Sequence, residues 1–360
     1  MLVKTYASLP LDLSHGQDVH VWDTSGRRYL DLYAGHAVCS TGHCHPEVVQ
    51  AIQDQAAKLI FYSNVAGLRL REEAAARLCP RGYHALFANS GAEANEDALK
   101  LARKFTGREE IVAMIGGFHG RTAGAVSVTG IEKYRVGPQV PGVRFVPFGE
   151  VPEISTKTAA VILEPIQSMA GVKMARAEYY RGLREACDRA GALLVYDEVQ
   201  TGIGRTGTMF FSGRYGVHAD LVTLAKGIAS GIPLSAVLVK AAISETVKYG
   251  DFGHTFGAGP IAMAALRATI GVVEALLPNV VETGVYLAEK LRPFGEVRGL
   301  GFLVGLKIAR DAAKVRDALL ARSIVVGTAD EPGVLRLLPP LTLRKPHVDE
   351  FVRALDETLR

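Results

Sequence analysis

The sequence predicts an α/β protein in which a large domain with a mostly parallel sheet carries a smaller α+β domain. Two features point there. From about Tyr83 onward, short and nearly continuous apolar runs alternate with amphipathic helical patterns, as expected of strands buried on both faces and connected by helices. After about Pro260 the alternation gives way to long helical patterns interspersed with strands. A chain of 360 residues, 48% of them hydrophobic, has enough apolar surface for both cores.

The chain opens with a hairpin, in which 19–22 and 29–33 flank the turn-rich Thr24-Ser25-Gly26-Arg27. Pro46 starts a helix with Val49, Ile52, Ala56 and Leu59 on one stripe. The apolar runs of the large domain are 84–88, 111–115, 143–148, 159–164, 192–197, 221–225 and 236–240. Helical patterns at 92–105 and 177–190 lie between some of them. In the last third, 261–277 and 280–291 read as helices, 297–306 as strand-like and 312–321 as a helix. Strands at 324–326 and 334–338 and a last helix from His347 complete it. The expected division is 67–260 for the large domain and 261–360 for the small one, with 1–66 as an N-terminal segment joining the small domain.

Composition excludes several classes. The 41 basic and 37 acidic residues give a net charge of +4 spread without runs, so no stripe suits a nucleic acid. Cys39, Cys44, Cys79 and Cys187 are spaced too irregularly for a disulfide framework. The first twelve residues contain no apolar leader, and the apolar stretches fall short of the ~18 residues a membrane span needs. The expectation is a soluble cytoplasmic protein with neither a nucleic-acid nor a membrane partner.

Two strand ends carry charge. Leu193-Leu194-Val195-Tyr196 runs into Asp197 and Glu198, and Leu221-Val222-Thr223-Leu224-Ala225 runs into Lys226 and Gly227. In open parallel sheets ligands gather beyond the carboxyl ends of the strands. A lysine there can lose its proton through desolvation and act as a nucleophile. That pairing suits pyridoxal phosphate, which needs an amine to hold it and a carboxylate beside its ring nitrogen. Solvated strand ends are the alternative, the usual fate of Asp and Lys in α/β proteins.

Asn89-Ser90-Gly91-Ala92-Glu93-Ala94-Asn95 lies between a strand and a helix, where small residues let backbone N–H groups approach a phosphate. Ser90 serves equally well as a helix cap. Phe118-His119-Gly120-Arg121-Thr122 follows the Gly-rich end of another strand. There Phe118 can stack on a ring and Arg121 can clamp a carboxylate, or the two are a core aromatic and a surface cation.

Together these motifs resemble class III pyridoxal-phosphate-dependent aminotransferases, the fold-type I group that includes the acetylornithine and ornithine enzymes. The matches are GHCHP at 42–46, NSGAEAN at 89–95, FHGRT at 118–122, EPIQ at 164–167, DEVQTGIGRTG at 197–207, LAKG at 224–227 and TFG at 255–257. The resemblance implies that Lys226 forms the Schiff base and shuttles the proton, and that Asp197 faces the pyridine nitrogen with Gln200 near the ring hydroxyl. It implies phosphate binding by Gly91 and Ala92 with Ser90 beside them. Phe118 would stack on the ring next to His119, and Thr255 would reach the phosphate in the neighbouring subunit of a homodimer with shared sites. Arg121, His254 and Arg336 would face substrate. The implied reaction moves the terminal amino group of an ω-amino acid, acetylornithine first, to 2-oxoglutarate in arginine biosynthesis.

The departures bear on substrate. Where relatives continue EPIQ with Gly-Glu, this chain has Ser168-Met169, and a methionine cannot form an ion pair with an arginine. His254 stands where acetylornithine enzymes have Ser or Thr, Gly67 lies near an aromatic position of the ornithine enzyme, and His36 adds a polar group at the site's edge. Ornithine, 4-aminobutyrate, N-modified or carrier-linked lysine-pathway donors, and an aminomutase are the alternatives.

Two further motifs point elsewhere. Gly202-Ile203-Gly204-Arg205-Thr206-Gly207 fits a dinucleotide fingerprint, but no helical pattern follows and Asp197 and Glu198 precede it, which counts against an NAD-dependent oxidoreductase. His43, Cys44 and His45, with Cys39, suggest metal ligands, but no second cluster completes a shell. They read as a structural turn before the Pro46 helix, and no metal is expected.

Overall fold

The computed structural model describes residues 3, 5 and 8–360. Its central sheet has seven strands: β1 (Tyr83–Ala88), β2 (Glu110–Met114), β3 (Val143–Val146), β4 (Thr158–Leu163), β5 (Leu193–Asp197), β6 (Leu221–Leu224) and β7 (Ser235–Lys240). They lie in the order β1-β7-β6-β5-β4-β2-β3. Only β7 runs antiparallel to its neighbours; the other pairs are parallel. Strand alternation divides the two faces. Ile111 and Ala113 share one core with Ala94, Ala98 and Leu101 of helix α1 (Gly91–Thr106), while Val112 and Met114 join the opposite core with Leu183 of α2 (Ala177–Ala190).

Neighbouring β5 and β6 bring Asp197 into register with Thr223, so the strand-end acid and the lysine three residues beyond Thr223 reach the same edge. The Ser90 hydroxyl caps α1 by accepting the Glu93 N–H at 3.3 Å. The helix ends in left-handed Gly107.

The remaining elements flank this sheet. The N-terminal hairpin is larger than the sequence suggested, because Leu13–Gln17 adds a third strand to His20–Asp23 and Arg28–Asp31. Ile324–Val325 pairs parallel to Arg28–Asp31 and ties this hairpin to the C-terminal part of the chain. The stretch expected to be one strand at 297–306 folds back on itself as Glu296–Leu300 and Leu303–Lys307, turning at Gly301-Phe302. Val334–Leu337 and Gly327–Thr328 complete that sheet.

The helical patterns at 261–277 and 280–291 form a single helix, α3 (Pro260–Leu291), which runs through Pro278. Proline there forfeits one backbone hydrogen bond, and the buried Val273, Leu276 and Val280 on either side hold the helix together. By length and composition α3 could cross a membrane, contrary to the short apolar stretches expected. Its apolar window is 61% buried inside the fold, against the helices Pro46–Ala56 and Arg69–Leu78.

The GIGRTG segment opens no helix. Its Arg205 is buried, donating to the backbone carbonyls of Phe302 and Pro339, and burial pulls it down to about 9. The segment therefore secures the C-terminal sheet to the large one. His43 is likewise structural: its Nε2 donates to Asp31 at 2.8 Å, and among the described residues no His, Cys, Asp and Glu group could hold a metal. The four cysteines are unpaired.

Candidate active site

A cleft of about 450 Å³ opens beyond the carboxyl ends of β5 and β6, large enough for a small organic cofactor. Lys226, Asp197, Ser90, Gly91, Ala92, Phe118, His119, Gln200 and Arg121 all line it. Residues from four separate stretches of sequence thus share one cavity.

Lys226 stands two residues past β6, where a short 3-10 turn (Lys226–Ala229) begins. Its backbone is left-handed at φ 45°, a conformation that costs a non-glycine residue about 1–2 kcal/mol. Such strain persists where the surroundings enforce it, and here it turns the side chain into the cleft. The amine makes no hydrogen bond or ion pair among the described residues. Burial lowers its pKa, with Arg336 acting in the same sense and Asp197 and Glu164 opposing.

Asp197 is 3% exposed. Its Oδ2 accepts from His119 Nδ1 at 2.7 Å and Asn95 Nδ2 at 2.8 Å, and its Oδ1 accepts from the Val199 N–H at 3.0 Å. The adjacent Glu198 points to the other side of the strand. Its two oxygens accept the Phe211 and Ser212 N–H groups at 2.5 and 2.6 Å, and burial pushes it up to about 7.

The N-terminus of α1 forms one wall. The Gly91 and Ala92 amides donate to no described residue, as first-turn amides do when an anion or water takes them. A Cβ at Gly91 would stand 2.9 Å from Val199 Cγ1, so a side chain there would push on the cleft wall. Gly120, at φ +132°, brings its loop so near α1 that a Cβ would lie 2.7 Å from that of Ala92. Phe118 sits beside this wall, its N–H held by Glu164 Oε2 at 2.9 Å and its ring edge-on to Tyr134 at 5.2 Å. The Arg121 guanidinium lies over the Tyr134 ring at 5.1 Å.

His254 and Arg336 do not line the cleft, and Thr255, expected to reach the neighbouring subunit's phosphate, also lies outside it. Thr255 is exposed. His254 Nε2 donates to Asp97 at 2.7 Å, fastening the 251–259 loop to the flank of α1. Arg336 is 2% exposed and held in a neutral shell: Nη1 approaches Ser168 Oγ at 3.1 Å and Met169 Sδ at 2.9 Å, and Nη2 donates to the Tyr33 hydroxyl at 2.5 Å. Met169 thus does contact the arginine, through sulfur and without a charge. Gly67 is exposed and lies outside the residues that line this cavity.

His36 reaches the site through its neighbours. Its carbonyl accepts from Gln200 Nε2 at 3.3 Å and its Nδ1 meets the Tyr33 hydroxyl at 2.9 Å. Burial lowers its pKa, and the cations Arg336, Lys226 and Arg121 add to that.

Sequence reasoning passed over four contributors. Glu164 lines the cleft as a buried carboxylate whose pKa burial raises, and it stood in a quoted motif without a role. Asn95 closed another motif in the same way. Thr223 and Tyr33 had no local signal, since each acts on a residue more than 100 positions away.

A cleft at the strand ends, with a partnerless amine facing a buried carboxylate and a helix N-terminus at its wall, defines a cofactor-dependent enzyme of the aminotransferase type. Residues 2–359 match the family model for class-III aminotransferases, and the chain belongs to that family of pyridoxal-phosphate-dependent enzymes. It is 40% identical to an acetylornithine aminotransferase of Methanocaldococcus jannaschii, covering 99% of this chain and 95% of that one. The ornithine aminotransferase of Toxoplasma gondii superposes with a TM-score of 0.94 at 29% identity, over 99% and 92% of the two chains. An amine transaminase from an uncultivated Pseudomonas, solved with the cofactor bound, gives 0.91 at 28% identity over 99% and 98%. The cleft fits the cofactor on its own terms. Unused helix amides suit a phosphate, the Asp197 carboxylate suits a ring nitrogen, and the Lys226 amine suits an aldehyde.

Proposed function

We propose that the chain transfers the terminal amino group of an ω-amino acid of the acetylornithine type to 2-oxoglutarate, releasing a semialdehyde and glutamate. The observation that carries this reading is Lys226, a strained and partnerless amine whose pKa burial lowers, in a cleft shared with Asp197. The substrate reading draws on the acetylornithine relatives and on Arg121 at the cleft wall. A homodimer with shared sites, a cytoplasmic location, and a large domain spanning 67–260 complete it.

Bound pyridoxal phosphate supplies an aldehyde that condenses with amines and a ring that draws electron density from the amine-bearing carbon. The chain's residues do the rest. The Gly91 and Ala92 amides, with Ser90, would take the phosphate, and Phe118 and Val199 would confine the ring. The Asp197 carboxylate would sit against the ring nitrogen and hold a proton there. Lys226 Nζ takes the proton from the amine-bearing carbon of the donor, and in the second half-reaction returns one to the acceptor's carbon. Arg121 at the cleft wall would hold one substrate carboxylate, and Arg336, buried just behind the lining, would reach a second once its Tyr33 and Met169 contacts give way.

The test is a panel of amines with 2-oxoglutarate, read out as glutamate. It includes acetylornithine, ornithine, 4-aminobutyrate, and N-modified and carrier-linked lysine-pathway donors. Glutamate formed fastest from acetylornithine supports the reading. Glutamate from none of them refutes it and favours an aminomutase.

A further inference from the structure

The buried side of Asp197 is occupied by a residue that neither strand carries. Asn95 sits on the second turn of α1 and is 1% exposed. One Nδ2 hydrogen goes to Asp197 Oδ2 at 2.8 Å and the other to the His119 carbonyl at 2.7 Å. Its Oδ1 accepts from Thr223 Oγ1 at 2.8 Å. Thr223 is fully buried on β6, in register with Asp197 on β5.

This arrangement admits one orientation of the amide. Flipped, Oδ1 would face the carboxylate and the His119 carbonyl, two acceptors, while the amide hydrogens would face the Thr223 hydroxyl. The Thr223 hydroxyl therefore acts as a lock: by donating to Oδ1 it aims both N–H bonds at Asp197 and the 118–122 loop. His119 Nδ1 meets the same Oδ2 at 2.7 Å and is itself fixed, its backbone N–H donating to Thr129 Oγ1 at 3.0 Å. Asn95 also follows Gly91 by four residues, about one helical turn. The helix that offers its amides to a phosphate thereby fixes the carboxylate at the other end of the cleft.

We propose that Asn95, oriented by Thr223, is a positioning residue that sets the Asp197 carboxylate against the cofactor's ring nitrogen and couples that contact to the phosphate-binding end of α1. This rests on the aminotransferase reading and extends it to two residues outside the strand ends. A purely structural Asn95 would affect folding and leave the cofactor's electronic state unchanged.

The experiment compares wild type with Asn95→Ala, Thr223→Val and Thr223→Ser, purified with pyridoxal phosphate and after its removal. The readouts are cofactor affinity of the stripped protein, the pH at which the bound cofactor's visible absorbance titrates, and kcat against KM for the amino donor. A hydrogen bond to a charged group corresponds to a loss of about 10- to 100-fold. Asn95→Ala is expected to lose kcat in that range with KM nearly unchanged, bind cofactor about tenfold more weakly, and shift the spectral midpoint by about one unit. Thr223→Val should shift the midpoint in the same direction by less, and Thr223→Ser, which keeps the hydroxyl, should match wild type. A folded Asn95→Ala with wild-type midpoint and affinity overturns the proposal. Should Asn95→Ala fail to fold, an unmoved midpoint in Thr223→Val overturns it. Wild type that binds no pyridoxal phosphate would instead overturn the functional reading beneath it.

Discussion

Replacing Met169 with glutamate restores a charge beside Arg336 and should selectively weaken 2-oxoglutarate. In the native shell the guanidinium touches a thioether at 2.9 Å, a serine hydroxyl at 3.1 Å and a tyrosine hydroxyl at 2.5 Å, and forms no ion pair among the described residues. A carboxylate at position 169 would sit within about 4 Å of that charge, where the attraction at an effective dielectric of 20 is about 4 kcal/mol. Desolvating the new carboxylate cancels part of this, leaving about 1.5–3 kcal/mol for a substrate carboxylate to overcome. That corresponds to a fall of about 10- to 100-fold in kcat/KM for 2-oxoglutarate. The assay varies 2-oxoglutarate against a saturating donor, with a melting curve to verify folding. A folded Met169→Glu protein within twofold of wild type would refute the role given to Arg336.

Lys226→Ala should retain no cofactor after borohydride treatment and denaturation, whereas wild type should; a persistent adduct in the variant would move the anchor to another lysine. For His43, burial favours the neutral ring, but hydrogen bonds to Asp31 and Cys39 outweigh it and push the group up to about 10 from 6.5. Its stabilisation is therefore complete below pH 6.5 and lost as pH rises through about 10, so melting temperature should fall across that window in wild type and stay flatter in His43→Gln. Equal slopes would remove the ion pair from the account. Glu198→Gln replaces one of two accepting oxygens with an N–H group facing the Phe211 or Ser212 amide. The cost is about 2 kcal/mol, or about 2–3 °C of melting temperature for a chain of this length, and an unchanged melting curve would contradict it.

Local pattern made the large domain legible. Each of the seven apolar runs corresponds to a strand within two residues, because strands buried on both faces leave a continuous apolar signal. The errors fall where a pattern is ambiguous. Pro278 reads as a break, yet packing carries α3 through it. The stretch at 297–306 is apolar enough for one long strand, and only the turn at Gly301-Phe302 makes it two. At the site, motifs supplied the residues that touch the cleft, since each lies at a strand end or helix start. The supporting contacts Asn95–Thr223 and Arg336–Tyr33 join residues 128 and 303 positions apart and follow from how the chain packs.

The charges around the cleft are sorted, and the sorting bears on what enters. Asp197 and Glu164 are buried on the His119 side, with Lys226 close enough for their charges to act on it. Arg336 acts on Lys226 in the opposite sense, and His36 feels Arg336, Lys226 and Arg121 together. Arg336 is buried with only neutral partners among the described residues, and a buried cation without a counter-charge costs several kcal/mol. On the proposed reading a substrate carboxylate would supply that counter-charge, whereas a plain amine of equal length would leave Arg336 uncompensated and forfeit the binding energy. Selection for carboxylates would then come from the cation left without a counter-charge as much as from any contact the substrate makes with Lys226.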